Sequence, residues 1–357
     1  MTETLRTLDV GFMPLIDCAP LVVAAELDLG RRHGLALRLH RQASWAAVRD
    51  RLLSGQLDAV HALAGMVYGI DAGIAGPQAD LAILLTLNQN GQAITLAPAL
   101  ADALAAGTPL PALLDALPRM PVFAQTFPTG THALWLYHWL AAQGVDPMRG
   151  IVSVTLPPSQ MPEALACGEL DGYCAGEPWA AHAEALGIGR RVIRSGAIWP
   201  GHPEKVLACR RDMAALEPEL ATALTATVLE ACRWLDAPAH RAEAAAWLAR
   251  PEVIGLPEAR IAACLLPDPS VPEEQRLRFH DAGRVNLPWL SDGYWFLQQF
   301  RRWGWLEAAD AGDDERRLRN LHRLDTFRAA AMRIGVAAPD EDAREIRLFD
   351  AQGRAAP

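Results

Sequence analysis

Patterns typical of strands and helices alternate along the first half of the chain, and this order restricts the fold more than any other feature. Residues 5–14 (LRTLDVGFMP) predict a strand, residues 20–34 (PLVVAAELDLGRRHG) a helix, and residues 36–43 (ALRLHRQA) a second strand. Ser44 then stands at the cap position of the helix pattern WAAVRDRLLSG. Strands and helices in this order predict an α/β fold with a mainly parallel sheet covered by helices.

A second series of the same kind begins after the Pro- and Ala-rich segment 97–118, without a detectable sequence repeat. From EKVLACRRD onward the chain is mostly helical in pattern. We therefore predict two lobes with a cleft between them: residues 1–115 form the first part of lobe 1, residues 116–205 form lobe 2, and residues 206–357 return to lobe 1 and add a C-terminal helical region. Ligands of such folds gather where strands lead into helices.

Charge and composition argue against several classes of function. The 357 residues carry a net charge of −9, which disfavours general binding to nucleic acid or acidic membranes. The sequence has no apolar run of membrane-spanning length and no basic start followed by an apolar stretch, so we expect neither a membrane span nor a secretory leader. The six cysteines lack metal-like spacing, which fits a reducing compartment. We expect a cytoplasmic protein without metal or cofactor.

Lys205 is unusual because it is the only lysine among the 33 Lys and Arg residues of the chain. An ammonium is a compact point charge whose pKa shifts readily on desolvation, whereas a guanidinium is a planar fork. Chance is the alternative explanation for a single lysine. Its place in the segment HPEKVLA, just before an apolar run, makes it a candidate for a specific electrostatic role.

Four further candidates lie near predicted strand or helix ends: Trp45, Gln92, His132 and Gly176. Each also has an ordinary explanation, respectively a core aromatic, a hairpin residue, a solvated first-turn residue and a turn glycine. Indole, amide, imidazole and ammonium groups are all hydrogen-bond donors, and the helix start at PTGTH adds free backbone N–H groups. Such a set suits a small monovalent anion with only acceptor oxygens, such as nitrate or nitrite. Bicarbonate fits less well because its hydroxyl needs an acceptor.

Seven segments in order carry a family resemblance: GFMPLIDCAPLVVA, ASWAAVRDRLLSGQLDAVHALAGM, LNQNGQAITL, FPTGTHALWLYHWLAAQGVDP, PPSQM, GELDGYCAGEPW and HPEKVLA. Together they resemble the nitrate/bicarbonate-binding family of ABC-transporter solute-binding proteins. The resemblance implies a two-lobed, periplasmic-binding-protein-like (type II) C-clamp. It also implies that Trp45, Gln92, His132, Gly176 and Lys205 surround the anion, with Lys205 as its counter-charge. The bicarbonate branch carries an acidic group and calcium, so the lysine favours nitrate.

The early first strand makes the chain similar to the cytoplasmic nitrate/nitrite sensors of this family, the NasS type. That resemblance implies an RNA-binding antitermination regulator as the partner, which the sensor holds until the anion binds. One alternative is a periplasmic nitrate-binding component of an ABC transporter. Another is an enzyme of similar fold, such as a thiamin-precursor synthase, although Cys174, Glu177 and His182 form no convincing nucleophile–base set by sequence.

An aromatic segment near the C-terminus, YWFLQQFRRWGWLE at 294–307, has mixed helical spacing. The spacing predicts core packing between the helical layer and a lobe. A partner-binding surface is the alternative, since aromatic residues and arginine are enriched at interfaces.

Overall fold

The computed structural model describes residues 5–308 and 311–348, which form two five-stranded sheets with helices packed against them. The strands are β1 (Arg6–Phe12), β2 (Leu35–Arg41), β3 (Ala59–Leu63), β4 (Leu81–Gln89), β5 (Gln92–Leu96), β6 (Val122–Gln125), β7 (Val152–Thr155), β8 (Gly172–Gly176), β9 (Arg190–Arg194) and β10 (Pro203–Arg210).

The helices follow the predicted alternation and then dominate the last third of the chain. They are α1 (Ala19–Glu26), α2 (Trp45–Leu53), α3 (Ala64–Asp71), α4 (Pro98–Ala105), α5 (Leu110–Asp115), α6 (Thr131–Ala142), α7 (Met161–Ala166), α8 (Trp179–Ala185), α9 (Ser195–Ile198), α10 (Arg211–Leu216), α11 (Pro218–Trp234), α12 (Pro238–Leu248), α13 (Glu258–Leu265), α14 (Leu290–Arg302), α15 (Ala311–Leu321) and α16 (Leu324–Arg333). Short 3-10 turns occur at Ile16–Cys18, Leu29–His33, Pro158–Gln160 and Glu273–Gln275. Within the described ranges, no helix has both the length and the apolar character needed to cross a membrane.

The first sheet has the strand order β2-β1-β3-β10-β4. Strand β1 runs parallel to β2 and β3, while β10 runs antiparallel to β3 and β4. All nine residues of β4 are buried, as expected for a strand covered on both faces. The predicted α/β class is confirmed, and the sheet is mixed because β10 returns from the other lobe.

The second sheet has the order β7-β6-β8-β5-β9 and is also mixed. Strand β6 runs parallel to β7 and β8, whereas β5 runs antiparallel to β8 and β9. Strand β5 lies within the 1–115 segment that the sequence pattern assigns to lobe 1, yet it is hydrogen-bonded into this second sheet. The chain therefore passes from one sheet to the other immediately after β4.

Asn90 ties together the two segments that connect the sheets. It has a left-handed φ of 62°, which asparagine adopts more readily than most residues, and Gly91 follows at 96°. The Asn90 side-chain oxygen accepts from the backbone N–H of Gly201 at 3.0 Å, so the first connection is held to the second. Its side-chain nitrogen donates to the carbonyls of Glu274 and Arg276, at 3.0 and 2.7 Å.

The C-terminal aromatic segment contributes to the core, as predicted. Trp295, Phe296 and Phe300 on α14 are buried. The Trp295 ring stacks on Trp135 of α6 at 4.8 Å between centroids and lies 5.1 Å from Trp199. The cluster therefore joins the C-terminal helices to the second lobe.

Candidate functional site

The site forms where loops at strand ends of both sheets meet. The loop after β1 reaches the loop after β8, where the backbone N–H of Ile16 donates to the carbonyl of Glu177 at 2.9 Å. Trp179 Nε1 donates to the carbonyl of Pro14 at 3.3 Å. These contacts connect the two lobes directly and close the cleft beside β10.

Local sequence rules place Trp45 in this cleft. The Ser44 hydroxyl accepts from the backbone N–H of Ala47 at 3.1 Å, which caps α2 as predicted and sets Trp45 in its first turn. Trp45 is 1% exposed, and its ring lies 5.6 Å from the Lys205 Nζ and 5.5 Å from the His61 ring. The pair with Lys205 is a cation–π contact in a desolvated setting.

Lys205 is fully buried on β10 and lies between two carboxylates. Its Nζ donates to Asp17 Oδ2 at 2.7 Å and to Glu204 Oε1. Burial alone would lower the pKa of Lys205, but the two carboxylates more than offset that effect and raise it. The ammonium is therefore charged at neutral pH.

The two carboxylates were not among the residues predicted from the sequence. Burial acts to raise the pKa of Glu204, but Lys205 and His132 outweigh it and lower this pKa to about 2. The pKa of Asp17 is likewise held well below its ordinary value, because Lys205 and His61 outweigh burial. Two sequence signals pointed to them: Glu204 adjoins the only lysine, and Asp17 lies in the first strand-to-helix loop.

The neighbouring histidines are neutral because burial disfavours their charged form. Burial lowers the pKa of both His61 and His132. The His61 Nδ1 accepts from the backbone N–H of Met13 at 3.3 Å, so its Nε2 carries the proton and donates to Asp17 at 2.8 Å. With neutral histidines, one ammonium and two carboxylates leave the cluster with a net charge of −1.

His132 lies on α6, on the second-lobe side of the cluster. Its Nδ1 is 2.5 Å from Thr126 Oγ1, and its Nε2 is 3.2 Å from Glu204 Oε1, an ion-pair distance without hydrogen-bond alignment. Thr131 Oγ1 donates to the same Glu204 oxygen at 3.1 Å. Glu204 therefore links Lys205 to the start of α6.

Gly176 and Gln92 lie opposite each other in the β5–β8 pairing. A Cβ built on Gly176 would lie 3.4 Å from Leu15 Cδ2 and 3.5 Å from Asp17 Oδ2, so the glycine faces the acidic side of the cluster. Trp45 contacts Lys205 directly, whereas His132 reaches it through Glu204 and Gly176 lies next to its other partner, Asp17. Gln92 is placed only by its register with Gly176.

Several buried polar atoms here have no hydrogen-bond partner within residues 5–308 and 311–348: Trp45 Nε1, both side-chain amide atoms of Gln92, His132 Nε2, His202 Nε2 and Glu204 Oε2. Leaving one such group unpaired costs about 1–3 kcal/mol. Trp45, His132 and Glu204 lie next to Lys205 or to its carboxylate partner, which indicates a place where a ligand or ordered water supplies missing partners.

Cys174 and Glu177, two of the residues considered for an enzymatic role, have the following environments and partners. Burial raises the pKa of the Cys174 thiol well above its ordinary value, so the reactive thiolate is disfavoured. Glu177 accepts from Arg191 Nη1 at 2.8 Å and from the backbone N–H of Ala181 at 3.0 Å. Within the described part of the chain, no cluster of three His, Cys, Asp or Glu residues is arranged to hold a metal ion.

Comparison with known proteins gives consistent similarities. Residues 2–249 match the profile of the NMT1-like family. The nitrate/nitrite binding protein NrtA of Synechococcus elongatus is 34% identical over 362 residues, covering 95% of this chain and 81% of that protein. The bicarbonate transport ATP-binding protein CmpC of the same species is 34% identical over 358 residues, covering 96% of this chain and 52% of CmpC. The chain thus spans about half the length of the ATP-binding relatives.

A solved structure resembles the whole chain. The periplasmic nitrate-binding protein NrtA from Synechocystis PCC 6803 superposes with a TM-score of 0.89 at 31% identity, covering 97% of this chain and 94% of NrtA. This similarity confirms the predicted two-lobed, periplasmic-binding-protein-like fold.

Proposed function

The chain belongs to the NMT1-like family, and on that basis we propose that the buried site around Lys205 binds nitrate or nitrite. One observation carries the proposal: Trp45, Gln92 and His132 each bury a nitrogen without a hydrogen-bond partner among the described residues, and Trp45 and His132 lie beside the Lys205–Glu204 pair. A small planar oxyanion offers acceptor oxygens to these donors. The relatives named for nitrate binding point to the same class of ligand.

Bicarbonate is the second candidate, because Glu204 Oε2 is a buried acceptor without a described partner. The hydroxyl of bicarbonate could donate to it, which nitrate cannot do. An acidic group is the feature that the family resemblance assigns to the bicarbonate branch. Asp17 and Glu204 are both bonded to Lys205, so the presence of the lysine does not by itself separate nitrate from bicarbonate.

Isothermal titration of the full chain with nitrate, nitrite, bicarbonate and chloride tests these candidates. The bicarbonate titration is run with calcium and again with a chelator, because calcium accompanies the acidic group in the bicarbonate branch. We expect one nitrate or nitrite per chain and no binding of chloride at the same concentration. Binding of bicarbonate alone would select the second candidate, and binding of none of the three oxyanions would refute both.

For the role of this binding, we propose a cytoplasmic sensor that controls an RNA-binding antitermination regulator. The six cysteines, all within the described residues, are unpaired, and four of them are buried. Reduced thiols are typical of a reducing compartment, which supports a cytoplasmic location. A net charge of −9 fits a protein that leaves contact with RNA to its partner.

Co-purification with the regulator, with nitrate titrated in, tests the sensor role. Coupling between two sites is reciprocal, so nitrate should release the regulator and the regulator should weaken nitrate binding by the same factor. A coupling of roughly 5–150-fold is typical. A chain that is located in the periplasm, or a complex that is indifferent to nitrate, would instead support a nitrate-binding transport component, the role carried in the names of several relatives.

A further inference from the structure

A second polar cavity lies beside the proposed nitrate site but is lined by different charges. It has a volume of about 130 Å³ and is bounded by Gln92 and β9 on one side and by α12, α13 and the segment 266–277 on the other. Four arginines and two acidic residues line it: Arg191, Arg194, Arg241, Arg276, Glu177 and Asp268. Four positive and two negative groups give the wall a net charge of +2.

The arginines differ in how well their charge is compensated. Arg191 is paired with Glu177 at 2.8 Å and with Glu184 at 2.6 Å. Arg194 approaches Asp268 only to 3.8 Å. The positive charge that remains available to a ligand therefore belongs to Arg194 and to the two arginines on the opposite wall.

Arg241 is the most deeply buried of the four, with 6% of its surface exposed. Its Nε and Nη1 donate to the carbonyls of Leu235, Leu265 and Leu277. Within residues 5–308 and 311–348, Arg241 forms no ion pair and its Nη2 donates no hydrogen bond. Burial lowers the pKa of Arg241 to about 10, and the nearby Asp236 offsets this effect only in part.

Arg276, on the neighbouring loop, is half-buried and also donates to backbone carbonyls. Its Nε donates to the carbonyl of Val271 at 2.7 Å and its Nη2 to that of Pro269 at 3.4 Å. In the described part of the chain it likewise has no carboxylate partner. Guanidinium groups are suited to bidentate recognition of oxyanions, and Arg276 has no carboxylate among the described residues to compete with such a ligand.

We propose that this cavity is a second anion site, which binds a tetrahedral dianion of the phosphate or sulfate class between Arg241, Arg276 and Arg194. The charge of such an ion matches the net charge of the wall. Arg194 belongs to the second sheet, whereas Arg241 lies on α12 among the helices that pack against the first lobe. The bound ion therefore connects the two lobes and stabilises their closed arrangement. This role is separate from the binding of nitrate at the Lys205 site.

Titration of the full chain with inorganic phosphate and with sulfate, at constant ionic strength against chloride, tests the proposal. We expect one dianion per chain, bound more tightly with saturating nitrate than without it, because both anions favour the closed arrangement. Arg194→Gln and Arg276→Gln should each weaken dianion binding by roughly tenfold, the factor of one hydrogen bond to a charged group. Arg190→Gln is the matched control, because Arg190 lies on the same strand, pairs with Asp102 and does not line the cavity.

The outcomes separate this site from the first. Arg241 donates hydrogen bonds to three backbone carbonyls, so the variant Arg241→Met risks misfolding. The test therefore uses the two milder variants, Arg194→Gln and Arg276→Gln. Loss of affinity in Arg194→Gln and Arg276→Gln but not in Arg190→Gln supports the site, even in a protein that does not bind nitrate. Absence of dianion binding at millimolar concentrations, equal affinity in all variants, or displacement of phosphate by nitrate at one shared site would overturn it.

Discussion

Replacing Lys205 by methionine should both destabilise the protein and abolish most of its anion binding. The ammonium is 2.7 Å from Asp17 and also bonded to Glu204, with all three side chains buried. Removing one partner from a buried charge cluster typically costs 3–5 kcal/mol of folding free energy. The fold is therefore weakened as well as the site, whereas the family resemblance assigns Lys205 a role only as the counter-charge of the anion.

The pH dependence of this loss follows from the two carboxylates. Without Lys205, burial raises their pKa values above those of the unfolded chain. The destabilisation should be complete above the raised folded-state values and should diminish as the pH falls through them. Urea unfolding of the wild type and of Lys205→Met at pH 8 and pH 5 measures the difference, which should be larger at pH 8.

A compensated variant separates stability from binding. Asp17→Asn and Glu204→Gln added to Lys205→Met remove all three charges, and with them the uncompensated buried carboxylates that make the single variant costly. The triple variant should regain most of the lost free energy of unfolding but remain defective in nitrate binding by about 1.5–3 kcal/mol. A Lys205→Met protein as stable as wild type at pH 8, or with wild-type nitrate affinity, would refute the reasoning.

Three further predictions follow from the same site. Nitrate added to a cluster of net charge −1 should bind with uptake of a proton by His132, which faces Glu204, Lys205 and Asp17 and whose pKa is lowered by burial in the free protein. The nitrate affinity should then fall by up to roughly tenfold per pH unit as the pH rises from the pKa of His132 in the free protein to its pKa in the complex. Titration in buffers of different ionisation enthalpy measures the proton uptake, and pH-independent binding would contradict this prediction. Gly176→Ala should nearly retain binding, because its Cβ meets Leu15 and Asp17 at ordinary contact distance, whereas Gly176→Val should lose it; equal affinities in a direct titration would place the ligand elsewhere. Small-angle scattering should show compaction on adding nitrate, because the anion contacts both lobes, and an unchanged profile despite binding would indicate a preformed cleft.

Much of the architecture was predictable because its determinants are local. Ser44 caps α2 by accepting a hydrogen bond from the backbone N–H of Ala47, three residues away, so the start of that helix can be predicted from the sequence. The alternation of strands and helices likewise depends on short-range periodicity, and the aromatic spacing of α14 correctly indicated core packing. The five proposed ligand residues came from donor chemistry and family resemblance, and their role in binding remains a prediction.

The sequence by itself determined the α/β class, the order of the elements and the isolation of a single lysine. Only the tertiary structure decided the electrostatics of the site, because Asp17 and Lys205 lie 188 residues apart and meet through the insertion of β10 between β3 and β4. It also decided that β5 pairs in the second sheet, since strand pairing depends on hydrogen-bond partners remote in sequence. Local patterns specify which elements form, whereas the charge that surrounds Lys205 arises only when distant elements are packed together.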